Sequence, residues 1–519
     1  MRSTTARLLF DWTMVLMLGS ALFAQAAQSP AGGVSPLVAQ EADWLVFRAD
    51  QELDELFELY ALRMRSGESP IKLTQPLDGS VASYGVTPDA RRVAYVAGGH
   101  CYSTRIDGSE PPIRLSMDPD VVQSFEISPR GGFVIYLTGT TFQRAPIDGS
   151  QAAFALNPPS GETPIQYEIT SDGQSMVYIT DSWEVFSLNT STLSTPILMS
   201  GFVPNNYEVY DFEIASDSSL VILLNRHLVG FHEQYYIYNL HYSHVHLPSM
   251  FPLVLDKDSP PKFDISPNGS RLVYQDRPML FSASFADTSP TILLNDPMDD
   301  PRSPIITPDG RSVIYSARLP GWRLRATPID SSDPVAFTLP FSRGPKSTSI
   351  SPDSSRALFI SSWPDFNGPD NVFSVPLDAS SQQVQLNSPL PPNGDIISYR
   401  VTPDSTQVLV HGRRNGMNEL RRIPIDGSQP SSPLTVLLPG ELLAFELTSD
   451  GSDVVFIGDP LTSGVVQLFT VPLDGSTPPM LQTPSIVTGG NVISFELASS
   501  RKHVDRRATP SQSTTVEIP

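Results

Sequence analysis

A short turn of the Pro-Asp-Gly type recurs along this chain of 519 residues and constrains its fold more than any other feature. The first turn residue, Pro or a Ser that replaces it, recurs at intervals of roughly 40 to 50 residues, which is typical of proteins built from structural repeats. These anchor residues are Pro88, Pro129, Ser171, Ser216, Pro267, Pro308, Pro352, Pro403 and Ser449.

Apolar residues alternate along the chain on both sides of each turn. An aliphatic side chain stands two residues before the anchor and an aromatic one usually stands four before it, as Ile127 and Phe125 do before Pro129. After the turn the alternation resumes, for example at Val134 and Tyr136. Side chains two residues apart in a strand lie on one face, so we expect that face to be buried. Each turn is therefore predicted to join two antiparallel strands.

A second turn, Asp-Gly, closes many of the repeats and is clearest at 106–109, 147–150, 425–428 and 473–476. Asp-Gly between apolar segments is a strong indication of a tight hairpin. Each repeat then has four antiparallel strands, which we name a to d in chain order. The Pro-Asp-Gly turn joins a to b and the Asp-Gly turn joins c to d. Four short strands per repeat are typical of a β-propeller blade.

The repeats resemble those of a known family. Ile-Thr-Pro-Asp-Gly-Arg-Ser-Val-Ile-Tyr at 306–315 and Arg-Ile-Pro-Ile-Asp-Gly-Ser at 422–428 are similar to the WD-like propeller repeats of TolB-type proteins and of prolyl-oligopeptidase-type peptidases. The resemblance covers nearly all of residues 44–497 and implies an all-β propeller. The chain departs from the TolB pattern because a short segment rich in Pro, Gly, Ser and Ala, residues 27–43, stands before the first strand where TolB has an α/β domain. It departs from the peptidases because it has no Gly-x-Ser-x-Gly nucleophile elbow.

Both ends of the repeat region contain part of a repeat. Residues 44–47 match strand b, residues 56–62 match strand c, and residues 491–497 match strand a. We therefore predict a single large ring in which the C-terminal strand completes the N-terminal blade. Nine anchored repeats and this composite blade would make about ten blades, above the usual four to eight. Two smaller propellers are the alternative.

This organisation divides the chain into four parts. We expect a signal peptide at 1–26, a flexible linker at 27–43, the propeller at 44–498, and a polar, disordered tail at 499–519. The tail contains the basic residues of 501–507, which we expect to be solvated.

The first 26 residues have the pattern of an export signal. Arg2 and Arg7 precede an apolar segment at 12–23, and Ala-Gln-Ala at 24–26 has the small residues of a cleavage site. Asp11 interrupts this pattern, so an uncleaved anchor is the alternative. No later segment is long and apolar enough to span a bilayer. We therefore expect a periplasmic or secreted protein.

The net charge argues against nucleic-acid-binding proteins, and the cysteine content excludes a fold held together by disulfides. The formal net charge of −21 argues against nucleic-acid binding, because contact with phosphates needs a basic surface. Cys101 is the only cysteine, so the chain has no intrachain disulfide, and we expect this residue to be packed in the core.

The predicted connectivity places the variable loops together. If a to b and c to d are tight turns on one face, the b to c and d to a loops emerge on the other, where binding residues concentrate. We call these the turn face and the loop face. Exposed tryptophans there would suit a sugar ring or an extended peptide, whereas buried ones would seal the gaps between blades. A pair of arginines would favour a carboxylate-bearing partner. The candidate residues are Trp183, Trp322, Trp363, Asp365, Arg413 and Arg414.

One repeat is rich in histidine and is the best candidate for a metal site. His244 and His246 would lie on one face of a strand, and two imidazoles on one face can begin a site for zinc, copper or manganese. The spacing fixes no third ligand.

Two functions fit these patterns. The one we favour is an exported, non-enzymatic binding or scaffold module for a protein or a glycan at the cell envelope, with no cofactor. The alternative is a metal-dependent polysaccharide lyase or hydrolase, implied by the resemblance to lyases in which a TolB-like propeller holds a metal with histidines. Such an enzyme needs its histidines to converge at the channel, and Asp299 and Asp300 would offer carboxylates. The sequence indicates no oligomeric state.

The export signal leads to a direct prediction. Cleavage after Ala26 would give an exported protein whose first residue is Ala27. Intact-mass measurement and N-terminal sequencing of the protein recovered from the envelope or the medium would test this. Recovery of the protein with residues 1–26 still attached would favour the uncleaved anchor.

Overall fold

The structure is a computed structural model that describes residues 44–75, 79–117, 121–156, 162–192, 194–200, 207–229, 235–246, 251–257, 259–285, 291–318, 322–331, 335–341, 344–362, 368–391, 393–483, 486–487, 489–498 and 516–517. The predicted signal peptide and linker lie outside these ranges. All regular structure in the described residues is β-strand, and among them there is no helix of the length and apolarity needed to cross a membrane.

The described residues form forty-one strands, which follow one another in chain order. The first fifteen are β1 (Trp44–Ala49), β2 (Glu58–Arg63), β3 (Ile71–Lys72), β4 (Val81–Val86), β5 (Arg92–Ala97), β6 (His100–Arg105), β7 (Ile113–Arg114), β8 (Val122–Ile127), β9 (Phe133–Thr138), β10 (Thr141–Pro146), β11 (Phe154–Ala155), β12 (Pro164–Ile169), β13 (Ser175–Thr180), β14 (Val185–Asn189) and β15 (Ile197–Leu198). The next twelve are β16 (Tyr207–Ile214), β17 (Leu220–Val229), β18 (Tyr235–His244), β19 (Phe251–Lys257), β20 (Lys262–Ile265), β21 (Arg271–Asp276), β22 (Met279–Ser284), β23 (Ile292–Leu293), β24 (Pro301–Ile306), β25 (Ser312–Ala317), β26 (Trp322–Pro328) and β27 (Val335–Phe341). The last fourteen are β28 (Ser347–Ile350), β29 (Arg356–Ser361), β30 (Asn371–Pro376), β31 (Val384–Gln385), β32 (Asp395–Val401), β33 (Gln407–Arg414), β34 (Met417–Pro424), β35 (Ser432–Pro433), β36 (Leu442–Leu447), β37 (Asp453–Gly458), β38 (Gln467–Pro472), β39 (Met480–Leu481), β40 (Val492–Ala498) and β41 (Val516–Glu517).

The strands form the ten antiparallel blades of one β-propeller. Nine blades consist of four consecutive strands each, from β4–β7 to β36–β39, and the remaining blade combines β40 with β1, β2 and β3. We number the composite blade 1 and the others 2 to 10 in chain order. The predictions of an all-β fold, of about ten blades and of a single ring are confirmed, and the alternative of two smaller propellers is wrong.

The ring closes through the pairing of strands from opposite ends of the chain. In blade 1, β40 is the inner strand a and pairs antiparallel with β1, which is strand b, so that Phe495 lies opposite Phe47. Both phenylalanines are fully buried. A second link joins blade 1 to blade 10, because Arg65 Nε lies 2.6 Å from Asp453 Oδ2. The predicted closure by N- and C-terminal strands is therefore confirmed.

The inner edge of β40 carries a further strand. Val516 and Glu517 form β41 and pair with Phe495 and Ser494. An unpaired strand edge offers free backbone donors and acceptors, which another segment of chain can satisfy. These two residues of the segment expected to be disordered therefore form a strand.

The hydrophobic core is divided among the contacts between neighbouring blades. One cluster joins Ile135 and Phe142 of blade 3 to Met176 and Tyr178 of blade 4, and equivalent clusters lie between other neighbours. Tyrosines at one position of the second strand are fully buried: Tyr95, Tyr136, Tyr178 and Tyr315. The alternation of apolar residues after each turn predicts these positions. Both faces of an inner strand are thus covered by adjacent blades.

The Pro-Asp-Gly turns are held by local hydrogen bonds. In blade 7, Thr307 Oγ1 donates to Asp309 Oδ1 at 2.6 Å, and the backbone N–H of Arg311 donates to the same carboxylate oxygen at 3.0 Å. Gly310 has a φ of 70°, which favours glycine. The N–H of Asp309 also donates to Ser354 Oγ in the next blade at 3.0 Å. The turn residues therefore fix both the hairpin and the spacing between blades.

Closure of the ring predicts a large effect of one core substitution. Phe495→Ala would leave a cavity in the strand that joins the two chain ends, so we expect the free energy of unfolding to fall by about 3 to 5 kcal/mol. Leu443→Ala, at a residue 43% exposed in the inner strand of blade 10, is the control and should change it by about 0.5 kcal/mol or less. Urea unfolding followed by circular dichroism measures both. Equal effects of the two substitutions would contradict the role of the β1–β40 pairing.

Candidate binding face

The antiparallel order of the blades separates two kinds of connection, as the sequence predicts. The a to b and c to d turns lie at the turn face, and the b to c and d to a connections lie at the loop face. The inner strands begin at the loop face, beside the mouth of the central channel.

A β-bulge or similar register shift recurs near the start of the inner strand in blades 1 to 5, 7, 9 and 10. A bulge inserts one extra residue and redirects its side chain. Because neighbouring blades cover both faces of an inner strand, an exposed side chain at this position faces the channel mouth. Ile165, Ile397 and Leu443 are 52%, 44% and 43% exposed. The bulged residues whose side chains belong to the described part are Ala82, Gln123, Ile165, Ile397, Leu443 and Ile493.

Exposed apolar side chains are concentrated on the loop face. Within the described ranges, all of the most exposed large apolar residues except Phe251 and Met480 lie in d to a or b to c connections, in the adjoining strand ends or at the bulges. Val436 and Met298, in d to a connections, are 77% and 71% exposed. The residues of this group are Leu53, Met117, Val121, Ile165, Leu228, Tyr236, Met298, Ile397, Val436, Leu437, Leu443 and Leu461.

Sequence reasoning missed the bulge residues. Ile165 and Ile397 stand two residues before an aromatic side chain, Tyr167 and Tyr399, so strict alternation would place each pair on one buried face. The bulge breaks this alternation and exposes the isoleucine. The only signal in the sequence is the recurrence of an aliphatic residue at this position, which alternation explains equally well.

Trp183 lies on the loop face at the junction of blades 4 and 5. It is half-buried, has a φ of 63° in the connection between β13 and β14, and accepts a hydrogen bond from the N–H of Val209 at 3.2 Å. The guanidinium carbon of Arg226 lies 5.7 Å from the centre of its ring and 4.4 Å from that of Tyr236. Glu208 accepts from Arg226 Nε at 2.8 Å. Trp183, Arg226 and Tyr236 therefore form a cation–π cluster.

The hairpin that carries Arg226 and Tyr236 is longer than those of most blades. Strands β17 and β18 have ten residues each, whereas the second strand of most other blades has six. Their paired ends extend at the loop face, where Leu228 and Tyr236 are 37% and 36% exposed. The sequence singled out Trp183 but not its partner Arg226, because the stacking depends on contact between different blades.

Trp322 has a structural contact instead. It is the first residue of β26, is half-buried, and packs against a core cluster that joins blade 7 to blade 8. A Cβ at Gly344 would lie only 2.7 Å from its ring. The ring therefore seals the junction between these blades, which is one of the two roles that we considered for the tryptophans. Trp363 and Asp365 lie outside the described residues.

Arg413 and Arg414 lie at the end of β33, and each pairs with a carboxylate of this protein. Arg413 Nη2 lies 2.9 Å from Glu441 Oε2, and Arg414 Nε lies 2.7 Å from the buried Glu419. The second of these pairs is the more enclosed and has a structural role. The attraction of both arginines for a carboxylate-bearing partner is reduced accordingly.

The candidate metal ligands do not share a strand face. His244 is the last residue of β18, the third strand of blade 5, and His246 follows in the turn. Both are exposed, and the ring of His244 lies 6.4 Å from that of Phe251 and 6.3 Å from that of Tyr242. No group of three or more His, Cys, Asp or Glu side chains in the described residues is arranged to hold a metal ion. Metal binding at these histidines stays a prediction.

Two further sequence candidates have structural contacts. Asp299 is buried and receives a hydrogen bond from Tyr315 at 3.1 Å, with Arg325 Nε 2.9 Å away. Asp300 pairs with Arg302 at 2.7 Å.

Cys101 is fully buried, as expected, and burial raises the pKa of its thiol to about 12, which keeps it protonated at neutral pH.

Comparison with known proteins identifies no family for this chain. No family model and no curated protein matches the chain. Among solved structures, a eukaryotic initiation factor is similar over 76% of this chain and 96% of its own, with 11% identity and a TM-score of 0.47. The Porphyromonas gingivalis dipeptidyl peptidase 4 is similar over 73% of this chain and 64% of its own, with 9% identity and a TM-score of 0.44. A putative TolB from Agrobacterium tumefaciens matches 45% of this chain and 84% of its own, with 17% identity and a TM-score of 0.28. At these values the similarities carry no argument about function.

The cluster around Arg226 predicts a moderate loss of stability when it is broken. Arg226→Leu removes the cation–π contacts and the pair with Glu208, so we expect the free energy of unfolding to fall by about 1 kcal/mol. The control is Arg311→Leu, at an exposed turn arginine whose side chain has no ion pair or hydrogen bond within the described ranges. Urea unfolding is the measurement. A loss no larger than that of the control would show that the cluster contributes nothing to stability.

Proposed function

We propose that this protein is an exported, non-enzymatic binding module whose loop face holds a partner protein at the cell envelope. The observation that carries this proposal is the concentration of exposed apolar side chains on the loop face. Contiguous apolar surfaces of more than a few hundred Å² on soluble proteins usually mark a site of interaction, and the proposal is that these side chains contribute to such a surface.

The chemistry of these side chains favours a protein over a glycan. Sugar rings stack on aromatic faces, but the exposed group is mainly aliphatic, and Tyr236 is its only aromatic member within the described residues. Leucine, isoleucine, valine and methionine gain most from contact with other apolar side chains, as in the core of a protein interface. The residues around the channel mouth, Ile397 and Leu443, lie in neighbouring blades and would form the centre of the contact.

The envelope location is supported by the sequence of residues 1–26, which has the pattern of an export signal. A non-enzymatic role is supported by the absence of a nucleophile elbow from the sequence.

The proposal is tested by a substitution on each face. Immobilised wild-type protein and the double variant Ile397→Ser/Leu443→Ser are incubated with an envelope extract of the source cells, and the proteins that the variant fails to retain are identified by quantitative mass spectrometry. The partner is then purified, and its Kd is measured by calorimetry. We expect the double variant to bind at least about tenfold more weakly, since buried apolar anchors carry much of the binding energy of an interface.

The matched control is Phe251→Ser, which removes an apolar side chain 40% exposed at the start of β19 on the turn face. It should bind as the wild type does. Retention of the same proteins by the wild type and the double variant would contradict the proposal. The wild type and the double variant would also be applied to a glycan array. If the double variant retains the same proteins as the wild type but no longer binds glycans on the array, the partner is a glycan and not a protein.

A further inference from the structure

A cleft of about 510 Å³ opens on the turn face where blades 9, 10 and 1 meet. Its walls include Arg63 and Met64 from the end of β2 and the turn after it, Arg422 from β34, and Thr470 and Met480 from β38 and β39. The cleft lies on the opposite side of the ring from the loop face, and none of the exposed apolar residues of the loop face lines it.

Two arginines of this cleft are free to bind a ligand. The side chains of Arg63 and Arg422 form no ion pair and no hydrogen bond with the described residues, although the chain has 55 acidic and 34 basic residues. A third arginine of the cleft, Arg65, is engaged by Asp453 at 2.6 Å. Arg422 acts on the nearby carboxylate of Asp474 through its charge, but neither arginine is held by a direct contact, so both can contact an anion from outside in this concave site.

The carboxylates at the cleft are already satisfied. Asp453 accepts from Arg65, and Asp474 accepts the backbone N–H of Ser476 at 2.8 Å. Hydrogen bonds from Ser476 and the nearby charges of Arg422 and Arg65 lower the pKa of Asp474, which is therefore ionised at neutral pH. Together the three arginines and two aspartates leave a local excess of positive charge, in contrast to the net charge of −21 of the whole chain.

An exposed apolar side chain lies in the same cleft. Met480 is 54% exposed and, with Phe251, is one of the two large apolar residues of the exposed group that do not belong to the loop face. Met64 and Leu62, which are buried, form the apolar floor beside it. A flexible thioether next to guanidinium groups suits a ligand that has both a charged and an apolar part.

We propose that this cleft is a binding site for an organic anion, in which Arg63 and Arg422 hold a carboxylate or phosphate group and Met480 contacts an apolar part of the ligand. Guanidinium groups recognise both of these anions through paired N–H donors. The volume of the cleft lies within the range of roughly 300 to 1,000 Å³ that is usual for small-molecule sites. The site is independent of the proposed partner on the loop face.

The cleft lies where the ring closes, so a bound ligand would also stabilise the folded protein. Blades 10 and 1 meet where the ring closes, and Arg65 and Asp453 connect them. An anion that contacts Arg63 in blade 1 and Arg422 in blade 9 would hold three consecutive blades together. Since it would bind only the folded protein, it should also raise the temperature of unfolding.

The test uses probes that differ in charge but share an apolar ring. Calorimetry at low ionic strength would measure the binding of phenyl phosphate, of 3-phenylpropionate and of the uncharged 3-phenylpropan-1-ol to the mature protein. We expect at least one anion to bind and the alcohol to bind at least about tenfold more weakly, because only an anion forms charge-assisted hydrogen bonds with the arginines. The stronger of the two anions identifies the group as a phosphate or a carboxylate.

Variants assign the binding to the named side chains. Arg63→Gln and Arg422→Gln should each weaken anion binding by about tenfold. Met480→Ser should weaken binding of phenyl phosphate but leave that of inorganic phosphate unchanged. Arg311→Gln, at an exposed arginine in the a to b turn of blade 7, which is on the turn face but outside the cleft, is the control and should bind as the wild type does. Circular dichroism would check that each variant is folded.

Several outcomes would overturn the proposal. The proposal would be wrong if neither aromatic anion bound, or if the uncharged alcohol bound as tightly as the anions. It would also be wrong if Arg63→Gln and Arg422→Gln both bound the anions as tightly as the wild type does. A loss of affinity in Arg311→Gln equal to that in the cleft variants would indicate unspecific attraction of anions. The Ile397→Ser/Leu443→Ser variant should keep anion binding, so failure of this proposal is distinguishable from failure of the loop-face proposal.

Discussion

The antiparallel pairing of β40 with β1 is the interaction on which the rest of the structure depends. Every other blade is a local unit of four consecutive strands, but blade 1 exists only when the two ends of the chain meet. Without this pairing, β1 and β40 would each be left with an open edge, and the buried Phe47 and Phe495 would lose their cover. Closing so long a chain costs conformational entropy, which the burial of these side chains and the contact between Arg65 and Asp453 help to offset.

Closure also determines which parts of the blades remain available for binding. Neighbouring blades cover the faces of each inner strand, so its remaining edge lies beside the channel, where β41 adds to β40. The recurring bulges bring further side chains out of the blade contacts and to the channel mouth. A residue that alternation would bury, such as Ile397, is thereby exposed, while Tyr399, two residues further on, stays buried. The loop face thus obtains its apolar surface from the repeat itself as well as from the variable connections.

The sequence predicts the repeated parts of this protein well and the contacts between blades poorly. Turns, strand order and the buried tyrosines follow from patterns within a few residues, and the partial repeats at the two ends predict the closure. Contacts between blades have no such local signal: the role of Trp322 depends on Gly344, which leaves room for its ring. Arg226 is unremarkable in the sequence, yet it stacks on Trp183 from another blade. His244 and His246 have the spacing of two residues on one strand face, but the strand ends between them. The export signal expected at residues 1–26 lies outside the described residues, so export stays a prediction.

The two faces of the ring differ in chemistry because the repeat constrains them differently. On the turn face, most positions are fixed by the Asp, Thr, Ser and Gly residues that form the turns, as in Thr307 and Asp309, so a ligand site there requires a departure from the repeat. The cleft is such a departure, because Arg63 belongs to the composite blade and Met480 is exposed, whereas most other d strands have no large exposed apolar residue among their described side chains. On the loop face, no single residue pattern is imposed, and apolar side chains accumulate across many blades. A broad apolar surface fits a macromolecule, whereas a small cleft with unpaired arginines fits a small anion. Since the blades between them are rigid packed units, a ligand at one face affects the other mainly through the stability of the closed ring.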